Sequence, residues 1–213
     1  MAQRCLVFVC LWVAAAGCGD AFEDWASVSC EDNSNVLRGA TFARERDYFA
    51  VYRDFNGIAL PSGEPSTQLS ALGTSGEPCK AASHVAACMR DLDAATKLRD
   101  ACAKEHRCGV FAVVNVGDQV TLIEDRAEFV AWLAPVETLS DALALSTWDE
   151  KTVFCPSSDE RGTRFERDGA TYKFATELDN CGVQNERDSW EVRGDGVVSG
   201  TEIEKLGESR CAI

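Results

Sequence analysis

The residues best equipped for chemistry in this chain are its cysteines, eleven in 213 residues. That is a high count for a protein kept in a reducing compartment. Cys5 and Cys10 fall in an apolar leader, and Cys18 follows it directly. The body then keeps Cys30, Cys79, Cys88, Cys102, Cys108, Cys155, Cys181 and Cys211. An even set in an exported chain points to four disulfides. Spacing leaves the connectivity open, and local pairing is the simplest expectation: Cys79–Cys88, Cys102–Cys108 and Cys155–Cys181, with Cys30–Cys211 joining the ends. Cys79 and Cys88 can pair only if Cys79 leaves the helix and folds back. The competing chemistry is metal, since Cys102, His106 and Cys108 lie close together and His84 and Cys88 stand at i, i+4. No C-x-x-C pair occurs, which argues against a thioredoxin-like centre.

Other catalytic patterns are thin. His84 and His106 are separated by 22 residues, about 33 Å along one helix, too far apart to serve a single site. No G-x-S-x-G elbow, S-x-x-K, G-x-G-x-x-G or P-loop is present. Glu124-Asp125 and Asp149-Glu150 read as caps and loop charges, with a carboxylate-pair hydrolase as the alternative. Glu191 to Glu202 can be laid on a calcium loop, with Gly196 sixth and Glu202 twelfth. Arg193 then falls at a ligand position, and a hairpin turn at Gly194-Asp195-Gly196 accounts for the same residues. These readings assign no catalytic, cofactor or metal residue.

Charge narrows the partners. Lys and Arg number 21 against 35 Asp and Glu, a net −14. Without a basic block the chain is no candidate for nucleic acid, nor for electrostatic docking on anionic lipid.

The elements that must position these residues begin with the leader. Residues 1–17, MAQRCLVFVCLWVAAAG, have one positive charge, an apolar run and small residues at the end, as a signal peptide does. The step Ala15-Ala16-Gly17-Cys18 resembles the lipobox of bacterial lipoproteins, with Ala15 where that family usually has Leu. The resemblance implies a diacylglyceryl thioether on Cys18, removal of residues 1–17 and acylation of the new amine, palmitate being the expected chain. One acyl chain binds a bilayer marginally and several bind it stably. An ordinary signal peptide and a secreted protein is the alternative. Residues 18–46, with Asp20, Glu23, Asp24, Glu31 and Asp32, read as an acidic tether.

Residues 47–213 read as one α+β domain with a loop at 61–78. A first hairpin is expected over 47–60 around Asn56-Gly57, with Tyr48 and Tyr52 on one face and Phe49 and Phe55 on the other. These rings make either a two-sided core strand or an exposed binding patch. One long helix is expected over 80–106. A second hairpin follows over 110–123 around Gly117-Asp118, and then two short helices, capped at Asp125 and at Thr138 or Ser140. From Lys151 the strand signals KTVFC, GTRFER, ATYKFATEL, SWEV and VVSGTEIEKL predict an antiparallel meander.

Three segments, GEPCKAASHVAAC at 76–88, FVAWLAPVETLSDALAL at 129–145 and CAI at 211–213, resemble a domain of myxobacterial exported proteins that often precedes a ferritin-like domain. That domain carries no activity to transfer, and no E-x-x-H stands here for iron. The resemblance implies a cell-envelope protein of a Gram-negative bacterium, with the outer membrane favoured. The expectation is a non-enzymatic, lipid-anchored envelope protein that has a structural role or binds an envelope protein or a small ligand. A tethered hydrolase and a metal-binding protein are the alternatives.

Overall fold

The computed structural model describes residues 22, 24–54, 69–97, 109–151, 153, 155, 162–179 and 185–207. They form an α+β fold of two antiparallel sheets around a helical layer. The strands are β1 (Ala26–Ser27), β2 (Tyr48–Asp54), β3 (Leu69–Gly76), β4 (Val110–Val116), β5 (Gln119–Ile123), β6 (Arg164–Asp168), β7 (Thr171–Asp179), β8 (Asn185–Arg193) and β9 (Val198–Gly207). The helices are α1 (Cys30–Ser34), α2 (Val85–Lys97), α3 (Arg126–Leu133) and α4 (Leu139–Trp148). One sheet has the order β3-β2-β4-β5 and the other β1-β6-β7-β8-β9.

The layers follow from strand alternation. In the four-stranded sheet Phe49, Val51, Ala112 and Val114 face the main core, while Tyr48, Tyr52, Phe111 and Val113 face α2 with Leu92 and Ala95. In the five-stranded sheet Tyr172, Phe174, Trp190 and Val192 face the same main core. Between the sheets lies α4, buried from Ser140 to Thr147 and in contact with both β4 and β8. Its apolar residues fill the core, and its buried Ser140, Asp141 and Ser146 side chains are hydrogen-bonded, as a helix with no solvent face requires. Trp190 Nε1 donates to Ser146 Oγ at 2.8 Å, and that hydroxyl donates to Ala142 O at 2.8 Å. The indole is thereby buried with its polar atom satisfied.

Local chemistry explains most boundaries. Asp125 caps α3 by accepting from Glu128 N at 2.9 Å. Thr138 and Asp141 form a capping box on α4. Gly117 and Gly169, both at positive φ, make the β4–β5 and β6–β7 turns. The antiparallel meander is present as β6-β7-β8-β9, with β8–β9 joined through Gly194-Asp195-Gly196, and β1 completes the sheet beside β6.

Several expectations are corrected. The stretch read as an acidic tether is part of the fold from β1 onward: Val28, Val36 and Leu37 are core residues, and α1 is capped by Ser29. The loop expected at 61–78 is strand β3 over 69–76, and this strand, with β4, is the partner of β2. The short hairpin around Asn56-Gly57 therefore does not organise β2; that dipeptide lies outside the described residues. Lys151, Val153 and Cys155 lie outside any strand. Helix α2 starts at Val85 rather than 80, because Cys79 takes a left-handed φ of 58° and Ala82 N bonds to Cys79 O in a turn.

Candidate functional site

The cysteines fall into three groups. Cys79–Cys88 is a disulfide with Cα atoms 6.0 Å apart, and Cys79 folds back off the helix as that pairing demands. Cys30 pairs with Cys155, 125 positions away. This overturns both Cys30–Cys211 and Cys155–Cys181: α1 lies beside the entry to β6, because β1 pairs with β6 and Val28 N bonds to Thr163 O at 2.8 Å. Cys18, Cys102, Cys108, Cys181, Cys211 and His106 lie outside the described residues. The two disulfides are those of an oxidising, exported environment.

The metal and carboxylate candidates are engaged elsewhere. Cys88 is oxidised, so His84–Cys88 holds no thiolate for zinc. His84 is exposed, and its backbone N–H donates to Asp118 Oδ1 at 2.8 Å. Ser83 also donates to Asp118, and these bonds hold the Asp118 carboxyl below its ordinary pKa. Asp149 takes a bidentate pair from Arg126 at 2.7 Å. Asp195 is held by Arg193 and closes the β8–β9 turn. Asp141, fully buried, accepts from Thr41 N, Thr41 Oγ1, Glu137 N and Thr138 N. Among the described residues no three His, Cys, Asp or Glu side chains gather where a metal ion could sit.

Of the rings expected to cluster in the first hairpin, Phe49 is fully buried, Tyr48 and Tyr52 are half-buried, and Phe55 lies outside the described residues. Tyr52 stacks on Phe111 at 5.3 Å, and burial, followed by a side-chain hydrogen bond with Tyr48, pushes its phenol well above the ordinary range. Tyr48 and Tyr52 pack under α2, and Phe49 packs in the main core.

The concave surface lies on the opposite side of the molecule. The outer face of the five-stranded sheet is polar by alternation, and its cross-strand register puts Glu166, Lys173 and Glu191 in one row. Arg187 reaches Glu177 at 2.6 Å and Glu204 at 3.2 Å. Lys173 binds Asp168 at 3.0 Å, a bond that raises its pKa. Onto this face the chain before β1 is clasped. Trp25 N donates to Phe22 O at 3.1 Å, and their rings meet edge to face at 4.5 Å. Arg164 Nη1 donates to Phe22 O at 2.9 Å, and the Arg187 guanidinium lies 4.6 Å from the Phe22 ring centre.

Trp25 borders two hollows. One, of 310 Å³, is lined by Phe22, Trp25, Lys173, Ser189, Glu191 and Glu204 among others. The other, of 610 Å³, opens at the β6 edge between Asp24, Trp25, Glu166 and Arg167. An aromatic ridge flanked by carboxylates and cations can stack on and hydrogen-bond a polar ligand. Sequence reasoning missed this site. Its signal was Phe22 and Trp25, two aromatic residues in an otherwise acidic segment.

Comparison of the chain with protein-family models, curated proteins and solved structures gives no match. No helix among the described residues is long and apolar enough to cross a membrane.

Proposed function

We propose that this protein is a non-enzymatic lipoprotein of the cell envelope, anchored by acyl chains on Cys18 in the outer membrane, and that its domain binds a polar ligand. The observation that carries the binding role is the pair of hollows bordered by Trp25 on the outer face of the five-stranded sheet. The disulfides support export, and the lipobox-like step before Cys18 supports the anchor.

The test has two parts. Protein extracted from bacterial membranes in detergent is alkylated without reduction, and its intact mass is measured. The expected mass starts at Cys18, carries acyl groups and shows no alkylated thiol; an unlipidated mass overturns the anchor. Soluble fragments of envelope polysaccharide are then titrated while tryptophan fluorescence is followed. A saturable change that Trp25→Ala abolishes supports the site, and the same change in that variant sinks it.

A second reading, a tethered hydrolase, has one observation in its favour. Glu166 and Glu191 flank Lys173 in one cross-strand row, two strand spacings or about 9.6 Å apart, near the upper end of the separation used by inverting glycosidases. Turnover of those fragments, lost in Glu166→Gln and in Glu191→Gln, would replace the binding role with this one.

A further inference from the structure

We infer that the outer face of the five-stranded sheet, with Phe22 and Trp25 on it, is the side of the domain that lies against the bilayer, that α2 is held away from it, and that the polar ligand proposed for the Trp25 hollows is one presented at the bilayer surface. The inference rests on the proposed acylation of Cys18 and adds a direction to it. Four peptide links separate Cys18 from Phe22, so their Cα atoms stand at most about 14 Å apart.

Phe22 is not free to swing. Its carbonyl is held by Arg164 and Trp25 N, its ring lies under Arg187 and against Trp25, and β1 pairs with β6 four residues later. A lipid on Cys18 is therefore tied to one face rather than hung on a long tether. The opposite end of the layer stack is α2. The four-stranded sheet, the α3–α4 layer and the five-stranded sheet lie between, about 10 Å for each step, which places α2 roughly 30 Å further out.

The surface fits the occupant. Trp25 is of the aromatic kind that settles at the headgroup level. The face keeps a negative balance, because Arg187 is shared by Glu177 and Glu204, and Lys173 meets Asp168 with Glu166 and Glu191 on either side. An acidic domain held within about one to two Debye lengths of a bilayer sits closer to zwitterionic than to anionic lipid.

The experiment is hydroxyl-radical footprinting of the lipidated protein in phosphatidylcholine vesicles, with soluble Cys18→Ala protein as reference. Phe22 and Trp25 report on one side. His84 and Met89, which is 44 % exposed, report on the other. The expected result is a several-fold loss of oxidation at Phe22 and Trp25 with His84 and Met89 unchanged. Equal protection of all four, or protection of α2 alone, overturns the orientation while the anchor stands. An unmodified Cys18 in the mass of the vesicle-bound sample overturns both. A third sample inserts about twelve Gly/Ser residues after Cys18, adding roughly 20 Å of reach. It is expected to stay lipidated and to lose the protection at Trp25; protection that persists there means the face binds lipid by itself, and the short link does not set the direction.

Discussion

The two sheets share one core but are finished differently on their far sides. The four-stranded sheet has a helix there: α2 is pinned by the Cys79–Cys88 disulfide and covers Tyr48, Tyr52, Phe111 and Val113. Among the described residues the five-stranded sheet has there the clasp of Phe22 and Trp25 leading into β1, and a lattice of ion pairs. A face covered by apolar packing contributes to stability and leaves little to recognise. A face covered by a narrow aromatic clasp and paired charges contributes less and leaves hollows. The difference is thus built into the layer order, with the stapled helix on one side and the hollows proposed to bind a ligand on the other.

That contrast can be broken most directly at the disulfides. Cys30–Cys155 closes a loop over 125 positions and Cys79–Cys88 one over 9. The chain-entropy model gives about 5 kcal/mol for the first and about 2.5 kcal/mol for the second. Paired Cys→Ser variants in urea unfolding should reproduce that order. Similar losses would show that the five-stranded side does not depend on its long-range closure.

Next come the buried rings. Trp190→Ala removes a fully buried indole stacked on Phe174 at 5.2 Å and strips the donor from Ser146. The expected loss is about 3–5 kcal/mol. Phe111→Ala, under α2 in the smaller cluster, should lose less in the same assay. A larger loss at Phe111 would move the centre of stability to the α2 side.

The covers themselves differ more. Leu92→Ala on α2 should cost about 2 kcal/mol or more, whereas Trp25→Ala on the clasp should stay within about 1 kcal/mol while removing ligand-induced fluorescence changes. Equal thermal shifts for the two variants would erase the distinction drawn between the faces.

The smallest effect is a pH dependence at the start of α2. The folded pKa of Asp118 is depressed by its bonds from Ser83 and His84 N. Its contribution is therefore full above the unfolded value of about 3.9 and lost as pH falls through the lower folded one. Carbon-detected NMR titration should find Asp118 ionised below pH 4, and Asp118→Asn should flatten the stability profile there. A carboxyl titrating at the ordinary value would remove the link between the hairpin and α2.

Legibility followed locality. Gly117-Asp118, Asp168-Gly169, Asp125 and Thr138 act within a few residues of themselves, and each does in the fold what its sequence implies. Strand β3 was hidden because LSALGTSG is built of turn-forming residues. Gly73 is needed because a Cβ there would stand 2.9 Å from Leu37 N, where the crossing chain bonds to Leu72. Val28, Val36 and Leu37 were masked by the acidic residues around them. The Cys30–Cys155 pair depends on β1 finding β6, which no local pattern encodes. The Trp25 site escaped for the same reason: its walls come from strands far along the chain, while the conspicuous rings Tyr48, Phe49 and Tyr52 of β2 pack under α2 or in the main core. Cys18 lies outside the described residues, so the anchor rests on its own sequence.

The clasp also sets an order in time. Arg164 meets Phe22 across 142 positions of sequence, and a chain made and exported N-terminus first cannot form that contact until β6 to β8 have followed. The clasp of Phe22 and Trp25 therefore settles only after the strands that hold it have been made. The acylation proposed for Cys18 would then not wait on the folded domain, since the clasp closes only once the second sheet is assembled.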